Sequence, residues 1–136
     1  SAMQANEYKV MVLGPRCGKT SFIRGLFGVR KKHGGFPTTM GASVTPYIIG
    51  NEMKETHRIN FWEVGSTYKG LGKDYCTGMD MAIIFKDNEG RCKEYEQWIP
   101  PDTPIIYVSD NDNNTGRVVD EIRKILCKKM TVVSKL

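Results

Sequence analysis

The spacing of apolar and polar positions changes along this chain, and each change predicts an element. Tyr8 to Leu13 is a short apolar run closed by Gly14-Pro15, and it reads as a buried strand. Thr20 to Phe27 places Phe22, Ile23, Leu26 and Phe27 at i, i+1, i+4 and i+5, one face of a helix that Gly28 ends. Gly34-Gly35-Phe36-Pro37 is a loop. Ser43 to Ile49 reads as a strand that Pro46 confines to an edge or a bulge, and His57 to Trp62 alternates as its partner would. Gly50-Asn51 between them is a turn signal, so the two are expected to form a hairpin. Gly65 to Gly78, rich in glycine and polar residues, reads as a mobile loop. Met81 to Phe85 is continuously apolar, which suits a central strand covered on both faces. Glu89 to Ile99 carries a helical pattern that Pro100-Pro101 stops. Ile105 to Val108 is a further buried strand. Arg117 to Lys129 is the clearest amphipathic helix, with Val118, Val119, Ile122, Ile125 and Leu126 on one face. Thr131 to Val133 reads as a last short strand.

That order calls for a mostly parallel sheet with helices on both faces and one antiparallel edge. The 136 residues hold no internal linker or repeat, so a single domain is expected over residues 4–136, with Ser1, Ala2 and Met3 read as a remnant of expression. No apolar run approaches the roughly 18 residues of a membrane span, and Val10 to Leu13 is too short for a secretory leader. Cys17, Cys76, Cys92 and Cys127 are widely spaced with no C-x-x-C, which argues against a zinc site or a disulfide framework and for free thiols in a reducing, cytoplasmic compartment. Ser134-Lys135-Leu136 matches a peroxisomal address, the alternative placement. The formal charge is +5, with basic clusters at Arg30, Lys31, Lys32 and His33 and at Arg123, Lys124, Lys128 and Lys129. No aromatic residues interleave with them, so they read as a solvated loop and helix face. The expected protein is a monomer with no nucleic-acid partner and weak membrane contact at most.

The sharpest chemical signal lies between the first strand and the first helix. Gly14-Pro15-Arg16-Cys17-Gly18-Lys19-Thr20-Ser21 is close to the phosphate-binding pattern G-x-x-x-x-G-K-[ST]. In such a loop successive backbone N–H groups wrap an anion, the helix start adds partial positive charge, the lysine reaches the outer phosphates, and the next hydroxyl can ligate Mg²⁺. The competing reading is a chance glycine-rich turn. Only three residues separate Gly14 from Gly18 where the pattern has four, and Pro15 removes one N–H. The loop is therefore tighter and has fewer donors, with Arg16 placed to help from above.

Strand, GPRCGKTS, helix, then Pro37-Thr38-Thr39-Met40-Gly41, then Phe61-Trp62-Glu63-Val64-Gly65, in that order, resembles the small GTPases of the Ras superfamily, nearest the Rab-like branch. The resemblance spans almost the whole chain. It implies a P-loop, Ras-like three-layer α/β sandwich: a six-stranded, mostly parallel sheet with one antiparallel edge strand, here lacking the terminal helix. It implies Mg²⁺ and GTP or GDP as ligands. Thr39 matches the threonine that ligates Mg²⁺ and senses the γ-phosphate, or else caps a turn. Trp62-Glu63-Val64-Gly65-Ser66-Thr67 stands where that family carries W-D-x-x-G-Q. Glu63 takes the place of the metal-holding aspartate, Ser66 that of the glycine and Thr67 that of the catalytic glutamine. Sliding the register by one restores Gly65 as the phosphate-sensing glycine but displaces Glu63. Taken alone, Trp62-Glu63 is an ordinary strand end with a core tryptophan. A threonine hydroxyl is too short to orient water as glutamine does, so hydrolysis is expected to be slow or absent.

The guanine reader N-K-x-D becomes Ser109-Asp110-Asn111-Asp112-Asn113-Asn114. Asp110 falls at the asparagine, Asn111 at the lysine and Asn113 at the specificity aspartate. A slip of one pairs Asn111 with Asn114 instead. Either way an amide, both donor and acceptor, replaces the carboxylate, so guanine preference is an open question and the stretch reads alternatively as a polar loop that no longer reads a base. Ser134 and Lys135 stand where the last base-contacting motif would. The resemblance thus implies a molecular switch or partner-binding platform whose regulators meet segments 34–49 and 63–78. The alternatives are an interaction module of the same fold that binds no nucleotide, and a P-loop kinase for a small molecule, for which the chain shows no arginine-bearing lid.

Overall fold

The computed structural model describes residues 7–15, 18–28, 41–50, 56–65, 72–87, 89, 92–109 and 115–134, the last stretch with side chains to 126. The fold of these residues is α/β, built on one mixed sheet of five strands. They are β1 (Glu7–Leu13), β2 (Ala42–Gly50), β3 (Thr56–Val64), β4 (Met81–Phe85) and β5 (Ile105–Val108). Their order across the sheet is β2-β3-β1-β4-β5. β1 pairs in parallel with β3 and β4, and β4 with β5. β2 alone runs antiparallel, along β3, from the Ala42–Val64 rung to the Gly50–Thr56 rung. The expected hairpin and antiparallel edge are both present, and Pro46 sits on that edge opposite Asn60, where a missing N–H is tolerated.

Alternation along the central strands fixes two apolar layers. Val10 and Val12 of β1 share one side with Ile59, Phe61, Ile83, Phe85, Ile106 and Val108. This side is covered by α1 (Gly18–Leu26) through Phe22 and Ile23, and by α3 (Thr115–Ser134) through Val118, Ile122 and Leu126. Met11, Leu13, Ala82 and Ile84 face the other way. There they meet α2 (Lys93–Glu96) through Tyr95, with Cys92 at its start, and a 3₁₀ turn over Gly72–Cys76. All five residues of β4 are buried, as a strand covered on both faces requires.

The structure corrects the sequence reading in several places. Among the described residues the sheet has five strands where six are expected, because Thr131 to Val133 continue α3 to Ser134. Their β-branched side chains favour a strand, but after Gly116 no glycine or proline interrupts the helix before them. The last described element is therefore a helix. The helix expected over Glu89 to Ile99 shrinks to the single turn of α2. Trp98 and Ile99 continue it with i→i+3 bonds from their N–H groups to the Tyr95 and Glu96 carbonyls, the tighter winding common at helix ends. α1 starts at Gly18, two residues earlier than expected, and Gly28 ends it with a left-handed φ of 74°. Within the expected loop of residues 65–78, Gly72–Cys76 are wound, and Gly72 abuts the Trp98 ring so closely that a Cβ there would lie 2.7 Å from it.

Candidate functional site

The site lies where β1 delivers the chain to α1. Gly14 ends the strand with φ 132°, and a Cβ there would stand 2.1 Å from the Phe85 carbonyl oxygen at the end of β4. Only glycine permits this turn and this approach of two backbones. Pro15 follows. Arg16 and Cys17 lie outside the described residues, and α1 opens at Gly18. Lys19, in the first turn, is 3% exposed. Its Nζ donates to the Gly14 carbonyl at 2.6 Å, which ties the ammonium back to the end of β1. Thr20 is half-buried, and its Oγ1 donates to Glu63 Oε2 at 2.5 Å. Ser21 completes the turn, half-buried.

Glu63 reaches this place through strand periodicity. His57, Ile59, Phe61 and Glu63 are alternate residues of β3, so all four stand on the side covered by α1. The parallel rung Val12–Glu63 sets it beside the end of β1. Glu63 is also 3% exposed. Buried charged groups such as Lys19 and Glu63 persist where they are hydrogen-bonded or serve a ligand. A threonine hydroxyl and a carboxylate, drawn from two elements and in contact, are hard oxygen donors of the type Mg²⁺ takes. Among the described residues no three His, Cys, Asp or Glu side chains gather as a metal cluster.

Gly65, just past β3, is buried, and its N–H donates to the Gly41 carbonyl at 2.7 Å. This bond adds a rung beyond Ala42–Val64 and joins the roots of the two segments expected to meet partners. Sequence reasoning missed it. The sequence marks it only by a glycine on each flank of the hairpin, which does not specify a pairing; in the structure Gly41 takes φ 78°. The structure thus brings together Gly14, Gly18, Lys19, Thr20, Ser21 and Glu63, with Gly65 held in the β2–β3 ladder. Thr39, Ser66, Thr67, Asp110, Asn111, Asn113 and Lys135 fall outside the described residues. Ser134 closes α3, so the strand that was to precede it is a helix.

A second polar cluster lies on the opposite face, at β5. Glu96 accepts the Cys92 thiol at 3.0 Å and the Tyr107 hydroxyl at 3.1 Å. Burial, and then the bond to Glu96, push the Cys92 thiol up to about 11, and the same causes raise Tyr107. The two donors hold Glu96 below the usual carboxylate range. Burial likewise pushes the Cys76 thiol up to about 11, against the opposing charge of Lys9. Cys76 and Cys92 are free, as expected. Among the described residues no helix is long and apolar enough to cross a membrane. No protein-family model matches the chain, and no curated protein matches its sequence.

Proposed function

We propose that this chain is a divergent, small-GTPase-like nucleotide-binding domain, acting as a molecular switch or a partner-binding platform with slow or absent hydrolysis. The observation that carries the reading is the convergence of Lys19, Thr20 and Glu63 at the amino end of α1, two of them buried charges. In this reading the amides from Gly14 to Gly18 cradle phosphate and Lys19 neutralises its outer oxygens. Thr20, Glu63 and Thr39 hold Mg²⁺, which when bound supplies charge neutralisation at the phosphates. Thr67 stands in for a water-orienting glutamine that it is too short to replace. The base falls to Asp110, Asn111 and Asn113, with Ser134 and Lys135 beside them. Val44 and Ile48 are exposed apolar residues of β2 and lie within segment 34–49, which suits a protein partner there.

The test is calorimetric titration of the purified chain with GDP and GTP in Mg²⁺, with ATP as control. Saturable heat for the guanine nucleotides supports the switch reading, and heat with ATP alone reassigns the base. One observation favours a second reading, an interaction module without nucleotide: in the slipped register that would make Gly65 the phosphate sensor, its N–H is already engaged by the Gly41 carbonyl. Absence of both heat and thermal shift at millimolar nucleotide selects that module.

A further inference from the structure

We infer that Glu63 ligates the metal directly, beside Thr20, and does not reach it through a water. The inference rests on the nucleotide-and-Mg²⁺ reading above and concerns what a glutamate does where the resembling family has a shorter acid. The backbone leaves little freedom: the Val12–Glu63 rung fixes the Glu63 Cα beside the end of β1, and the first turn of α1 fixes Thr20. From there the carboxylate already touches the hydroxyl, with Thr20 Oγ1 donating to Glu63 Oε2 at 2.5 Å, and Glu63 is 3% exposed.

That bond need not break when an ion enters. With metal–oxygen bonds of about 2.1 Å in an octahedral shell, adjacent ligand oxygens stand about 3 Å apart. The Thr20 oxygen would ligate through a lone pair while its O–H still donates to Oε2, leaving Oε1 of the same carboxylate to take the ion. A carboxylate bonded to its neighbouring ligand's proton and to the ion holds both in one geometry. An acid acting through a water would leave one more water on the ion.

The experiment uses the full chain, GDP and Mn²⁺ as a paramagnetic probe. Waters on the ion are counted from line broadening in ¹⁷O-enriched water, and nucleotide affinity is measured separately by calorimetry. The wild-type ion is expected to carry one water fewer than the ion in Glu63→Asp, with Mn²⁺ affinity roughly 10-fold higher or more. Glu63→Ala, expected to gain the same water, serves if Glu63→Asp fails to fold. Nucleotide binding with equal water counts in wild type and variant overturns the direct ligation alone. No nucleotide binding overturns the functional reading beneath it.

Discussion

Gly14 shows how much of the site rests on one residue's lack of a side chain. It combines a φ of 132° with backbone contact to Phe85, so adding a methyl group must move β4 or the loop. Gly14→Ala is expected to cost about 3 kcal/mol or more in urea unfolding. Gly28 has φ 74° but open space around it, so Gly28→Ala should cost only about 1 kcal/mol. Equal losses would show that φ alone decides, and that the approach to β4 does not constrain the loop. The thiols give a second prediction at this scale. Cys76 and Cys92 have folded-state values of about 11, raised from 9.0, so the fold favours their neutral form. Their contribution to stability is complete below pH 9.0 and is lost as pH climbs through about 11. Alkylation at pH 8 followed by peptide mapping should leave both unlabelled in the folded chain and label both in denaturant. Rapid labelling of either without denaturant contradicts the burial described.

At the level of elements, legibility followed periodicity. The strands at 8–13, 81–85 and 105–108 and the hairpin were readable because two-sided burial and alternation are local signals. Glu63 is singled out by its motif position, and strand alternation explains why it faces α1. The tail reads as a strand because a Thr-Val-Val triplet carries strand propensity, but the uninterrupted helix before it carries it onward to Ser134. The Gly41–Gly65 bond was not legible, since pairing beyond the end of a hairpin depends on register, which the sequence alone leaves unspecified. α3 is held mainly by its buried stripe. Ile122 is fully buried against the sheet, so Ile122→Ala is expected to destabilise the fold by roughly 2–5 kcal/mol, read from urea or thermal unfolding. A loss under about 1 kcal/mol would mean that α3 contributes little to the core.

For the molecule as a whole, the sheet order sets the ends of β1, β3 and β4 side by side, and α1 leaves from the first of them. Ligands of open α/β sheets bind at the carboxyl ends of the strands, and here that end holds Lys19, Thr20 and Glu63. The two sheet edges differ: β2 carries Pro46 with exposed Val44 and Ile48, while β5 carries the Cys92–Glu96–Tyr107 cluster at its flank. The proposed partner surface therefore belongs to the β2 side. Ile48→Lys is expected to leave stability within about 0.5 kcal/mol while weakening any partner that docks there, read by melting and pull-down with the variant.

The central claim is that the turn closed by Lys19 takes up a nucleotide's phosphates. Calorimetry with GDP in Mg²⁺, run on the wild-type chain and on Lys19→Ala, tests it most directly. The account predicts saturable binding at one nucleotide per chain that Lys19→Ala abolishes while the variant stays folded. Binding that survives loss of the ammonium unchanged, or no binding by the wild type at millimolar GDP and GTP, would contradict it.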